Sequence, residues 1–156
     1  MALKEKLEKL KKLNEQTKAP DWTIYKELWK KAISELQHTI MDKWFFDYQD
    51  KGLMTFEIIP TKRVEPFIGE YFTANLEITL AENKFLVLEP VSGVTTEYDG
   101  KLEFYMRGNV NKKVSILRKI IDEKEYGWII AKSYDPQDHY KLDKTQLEKL
   151  IEEWLQ

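Results

Sequence analysis

The stretch Tyr71-Phe72-Thr73-Ala74-Asn75-Leu76-Glu77-Ile78-Thr79-Leu80 decides the fold of this chain. Phe72, Ala74, Leu76, Ile78 and Leu80 alternate with Tyr71, Thr73, Asn75, Glu77 and Thr79, which is the period of two of a strand with one buried face. On that pattern Tyr71 belongs to the polar, exposed face. Similar runs lie on either side, at Leu53 to Ile59, Lys84 to Val91, Val94 to Glu97 with Lys101 to Arg107, Lys112 to Ile121, and Tyr126 to Tyr134. The joints are Glu82-Asn83, Ser92-Gly93, Asp99-Gly100, Gly108-Asn109 and the Glu123 to Gly127 corner. Asp99-Gly100 is the strongest hairpin signal, since both central residues of a type I′ turn need positive φ. None of these joints can hold a crossover helix, so the expected sheet is an antiparallel meander of about six strands.

Before the strands the spacing is helical. Leu3, Leu7, Leu10 and Leu13 form one apolar stripe on a helix from about Ala2 to Lys18, and Pro20 ends it. Asp21 or Thr23 can cap a second helix, whose stripe of Trp22, Leu28, Trp29, Ala32, Ile33, Leu36, Ile40 and Trp44 runs to about Phe46. Phe45 and Phe46 read as core with it. At the far end Asp143 and Gln146 make a capping box, and Leu142 and Leu147 flank it as a hydrophobic staple. A helix must follow, presenting Leu147, Leu150, Ile151, Trp154 and Leu155 on one side. The expected class is therefore α+β: an amphipathic helix over 1–18 joined to a single domain over 21–156.

Phe85 to Leu88 and Leu117 to Ile121 are apolar at consecutive positions, so both sheet faces need a cover. The Trp22 helix can cover one and the C-terminal helix part of the other.

Composition removes several chemistries. The 156 residues include no cysteine, which excludes thiolate nucleophiles and thiolate metal sites. The six glycines are too scattered for a phosphate cradle, and two histidines cannot make a three-histidine metal site. Met1 to Leu13 interleaves Lys and Glu with Leu and lacks the apolar core of a signal peptide, and no run is long enough to span a bilayer. The expected setting is the cytoplasm, with no membrane contact and no cofactor.

Charge is uneven within a net of −2. Glu65 to Glu103 carries eight acids and two bases, which reads as solvated strand edges that discourage aggregation. Arg107 to Lys119 carries five bases and no acid, and with Tyr105 nearby it offers a nucleic-acid surface: Tyr105, Arg107, Lys112, Lys113, Arg118 and Lys119. Alternation splits these charges between faces, so a solvated hairpin is the preferred reading and nucleic acid an unfavoured partner. Asp135, Asp138 and His139 share a Pro136-stiffened loop and are the weak candidates for metal ligands. A polar turn accounts for them better, since alternating calcium-loop acids are absent.

Small domains without reactive constellations work mostly through surfaces. The expected function is a non-enzymatic protein-binding module, of the regulator, immunity-protein, antitoxin or chaperone kind, that covers another protein or a second copy of itself. Leu3, Leu7, Leu10, Leu13, Trp22 and Tyr71 are the candidate partner-binding residues. A small-ligand site or enzyme with a pocket under the curved sheet is the first alternative, and nucleic-acid binding through residues 107–119 the second.

Overall fold

A computed structural model of the chain describes residues 2–18, 21–81, 83–122 and 125–156, the side chains of 13–18 excepted. The expected joint at Ala19-Pro20, and parts of those at Glu82 and at Glu123 and Lys124, lie outside the described residues. Helix α1 (Ala2–Lys18) precedes α2 (Trp22–His38), a π-helical turn (Thr39–Trp44) and the short α3 (Phe46–Asp50). Among the described residues seven strands come next: β1 (Met54–Glu65), β2 (Gly69–Leu80), β3 (Lys84–Ser92), β4 (Lys101–Met106), β5 (Lys113–Ile120), β6 (Tyr126–Ala131) and β7 (His139–Lys141). Helix α4 (Lys144–Trp154) ends the chain. The fold is α+β, with one antiparallel sheet in sequential strand order.

The seventh strand begins at His139, the last residue of the Asp135 to His139 region that reads as a turn. After the turn, β7 pairs with Ile129, Ile130 and Ala131. The expected strand at Val94 to Glu97 is not one; residues 93–100 are a loop. β1 is longer than its alternation suggests and runs through Pro60, tolerable because β1 is an edge and proline's missing N–H need not break a ladder.

Register places Leu76, Leu88, Phe104 and Val114 in one row, and Leu102, Ile116 and Ile130 in the next, all buried on one sheet face. Both covering helices lie there. Trp29 of α2 meets Trp128 of β6 at 6.1 Å, and Trp154 of α4 stacks on Phe104 of β4 at 5.4 Å. The expectation that the C-terminal helix covers the second face is thus corrected: its staple residues Leu142 and Leu147 belong to the same core as α2. Buried Val87 on the opposite face is flanked in the register by Glu77 and Tyr105, not by a helix residue.

Helix α2 starts where Asp21 accepts hydrogen bonds from the amides of Thr23 (2.9 Å) and Ile24 (3.4 Å). Its buried line is Trp29, Ala32, Ile33, Leu36 and Gln37, so Leu28 falls outside the stripe and is exposed. The helix does not continue unchanged to Phe46. The amide of Phe45 bonds the carbonyl of Ile40, five residues back, and that extra residue rotates the chain beyond it. Phe45 is turned fully inward and Phe46 outward. At α4 the Asp143 carboxylate caps the amide of Gln146 at 2.8 Å, as the box requires.

Trp29 is the pivot of the packing. Its indole is fully buried against Gly93 and Gly100, and a Cβ on either glycine would overlap it. Gly100, at φ +139°, is therefore needed for close approach as well as for its backbone, a reason the Asp-Gly turn signal does not contain.

Candidate functional site

Among the described residues, the apolar face of helix α1 is exposed. Leu3, Leu7 and Leu10 are 63%, 56% and 57% exposed, and the side chain of Leu13 lies outside the described residues. Lysines flank the stripe: Lys4 and Lys11 stand beside Leu7 with Glu8 along the same edge, Lys6 stands on the other flank, and Glu5 lies toward the far side. The helix holds six lysines and three glutamates, a net of +3 in a chain of net −2.

The other two partner candidates fare differently. Trp22 is half-buried and stacked on Phe67 at 5.4 Å. Tyr71 is buried at 3% exposure, which corrects its assignment to the polar face. Its hydroxyl donates to Glu65 and accepts from Trp29 Nε1 at 3.1 Å, while Glu65 also takes the Gly93 amide at 2.8 Å. Phe72, expected inside, is exposed. The β1–β2 hairpin extends past the part of β2 that pairs with β3, and on that free arm the alternation no longer says which face meets the core.

The basic run is dispersed by the fold. Arg107 pairs with Glu77 at 2.5 Å, Lys113 with Glu103, and Lys112 donates to the Trp154 carbonyl. Tyr105 sits beside Lys113, whose ammonium lies 5.8 Å from its ring centre. Arg118 is not a surface cation at all, being 2% exposed on the core face. Only Lys119 of the five bases keeps no intramolecular partner among the described residues, too little for a backbone-tracking surface.

Arg118 is held in an unusual way. Nε donates to the Asp99 carbonyl at 2.8 Å, Nη2 is buried without a hydrogen bond, and no carboxylate forms an ion pair with it among the described residues. Three rings stand in for the missing anion: its guanidinium carbon lies 4.9 Å from the centre of Trp29, 5.6 Å from Tyr25 and 5.7 Å from Tyr126. A buried charge without a counterion is costly, and quadrupole attraction from three faces offsets part of that cost.

Burial raises the phenols around this cluster. Tyr25 is raised by desolvation against the opposing pull of Arg118; Tyr71 is raised strongly by desolvation and its bond to Glu65; Tyr126 is pushed up to about 12 by desolvation and its bond to Glu35. Because the folded pKa lies above the unfolded value of about 10, the neutral phenols stabilise the fold fully below that pH, and the contribution disappears as pH rises through the folded values. Thermal melts from pH 9 to 12 should show stability falling above about 10, and near-ultraviolet absorbance should show these tyrosines ionising late. Tyr126→Phe should flatten the part of the fall between about 10 and 12.

A cleft of about 720 Å³ opens at the first half of β6, which pairs with β5 on one side and has no strand on the other, since β7 pairs only with Ile129–Ala131. One wall is α2 with the π-turn (Leu36, Thr39, Trp44), the other is Tyr126, Trp128 and Tyr140. Glu35, Lys119, His139 and Lys141 line its mouth. No sequence signal marks this cleft, because its rings come from separate elements of the chain.

In the 135–139 loop the candidate ligands are occupied locally. Asp135 caps the amide of Gln137, Asp138 accepts from Ser133 Oγ at 2.6 Å, and His139 lies between the Ser133 carbonyl (3.1 Å) and the Tyr98 hydroxyl (3.4 Å). Among the described residues no three His, Cys, Asp or Glu side chains gather as a metal-ligand group, and no helix is long and apolar enough to cross a membrane.

Compared with known proteins, the chain matches no family model, no curated protein and no solved structure.

Proposed function

We propose that the chain is a cytoplasmic, non-enzymatic protein-binding module whose recognition element is α1. The observation that carries this reading is the leucine stripe of Leu3, Leu7 and Leu10, more than half exposed on a helix at the margin of stability by itself. Burying each leucine is worth about 1.5–3 kcal/mol, which only a second surface can supply. The lysines on both flanks favour a different protein with an apolar groove rimmed by carboxylates. Two copies of α1 packed stripe to stripe would set Lys4, Lys6 and Lys11 against one another.

The test uses the full chain and Leu7→Glu with Leu10→Glu. Both sites are exposed, so the melting temperature should hold within the effect of a surface change, about 0.5 kcal/mol. Affinity for the captured partner should fall at least about a hundredfold, as expected for losing two buried leucines. Lys4→Glu with Lys11→Glu should weaken the same complex and reduce its salt dependence. A complex that survives the leucine changes sinks the reading; a homodimer dissociated by them replaces the foreign partner with a second copy.

A further inference from the structure

We propose that the cleft beside β6 binds a small planar aromatic molecule carrying an anionic group. The inference is independent of α1 and rests on shape, lining and charge. A volume of about 720 Å³ is within the range of small-molecule sites, and its walls present Trp44, Trp128 and Tyr140, rings suited to face or edge contact with a flat ligand.

The mouth selects the sign of the ligand's charge. Glu35 is already engaged, accepting from Tyr126 at 2.6 Å and pairing with Lys31 at 3.8 Å. His139 is committed to Ser133 and Tyr98. Lys119 and Lys141 remain, and neither has an ion pair among the described residues. In the register Lys119 faces Gly127 and Lys141 faces Ile129, so both lysines flank β6 on one sheet face. Gly127, at the position between them, has no side chain, and the space where its Cβ would stand is open. The aromatic walls reach the cleft from one side of the strand and the ammonium groups from the other. A ring fits the first and a carboxylate or phosphate the second, with charge-assisted bonds to the lysines.

Calorimetric titration of the full chain with 2-naphthoate, 2-naphthyl phosphate, 2-naphthol and cyclohexanecarboxylate tests this. Either or both naphthyl anions should bind with a dissociation constant on the order of 0.1–1 mM, suitable for fragments of this size. The uncharged naphthol and the non-aromatic acid should each bind at least about tenfold more weakly. The tighter of the two anions identifies a carboxylate or a phosphate as the natural group. Lys119→Ala with Lys141→Ala should lower the affinity about tenfold without moving the melting temperature, since both side chains are exposed. Gly127→Leu, at a backbone position any residue adopts, should fill the cleft and abolish binding. Equal binding of naphthol and naphthoate, unchanged binding in either variant, or no binding of either anion at about 1 mM overturns the proposal.

Discussion

Trp29→Ala is expected to destabilise the fold by about 5 kcal/mol, the upper end of the range for a large core aromatic. The size comes from the surroundings of the indole. It is fully buried, and Gly93 and Gly100 press against it with no side chains that could move into the space it leaves. Its Nε1–H donates to Tyr71, so truncation also leaves a buried hydroxyl with one partner fewer. It forms one of the three faces around the Arg118 guanidinium, and removing it worsens a burial already lacking a carboxylate. Trp22→Ala is the matched control: that side chain is half-buried and stacked on the exposed Phe67, and its loss should cost about 1 kcal/mol. Urea melts of the two variants check the contrast. Equal costs would show that Trp29 is an ordinary core residue and not the pivot of the packing.

What the sequence makes legible is whatever a short window determines. The α4 cap is local, as are the alternation at Leu76, Ile78 and Leu80 and the stripe of α2, and each is found where its residues imply, Leu28 of α2 excepted. The misreadings arise where a distant residue decides. Tyr71 is polar by alternation and buried in the fold because Trp29 and Glu65, from two other elements, close on its hydroxyl. Arg118 looks like one base in a basic run, yet its position on the core face brings it among three rings that no local window could place together. The π-turn is a one-residue slip that exchanges the fates of Phe45 and Phe46, and a periodicity of near four cannot register it. The α1 stripe is legible because amphipathicity is a local property, but its exposure is not, since the stripe of α4 reads the same way and is buried. The β6 cleft is not legible, since it lies where Tyr126 and Gly127 have no strand on the β7 side, a matter of how far a distant segment pairs.

Removing residues 143–156 is expected to leave the chain without a cooperative melt, the largest effect of any change to this fold. Helix α4 buries Leu147, Leu150, Ile151 and Trp154, and at about 1.5–3 kcal/mol per buried side chain the loss is roughly 6–12 kcal/mol before discounting for residual burial in the unfolded chain. That equals most of the roughly 5–15 kcal/mol by which a native domain is stable. Trp154→Ala alone, which removes the stack on Phe104, should cost about 3–5 kcal/mol and leave a folded, weakened protein in which the same docking can be measured. The informative comparison is with the opposite end. Residues 2–18 also form an amphipathic helix with a leucine stripe, but Leu3, Leu7 and Leu10 are exposed, so deleting that helix should leave the melting temperature nearly unchanged. The docking of α4 follows from how it starts: Asp143 fixes its first turn, and Leu142 and Leu147 anchor that start in the core, so the stripe is delivered onto Phe104. If calorimetry found the truncated chain melting as sharply as the full one, the docking of α4 would be wrong; if deleting α1 were the change that unfolded the chain, α1 would be core and its leucines no recognition surface.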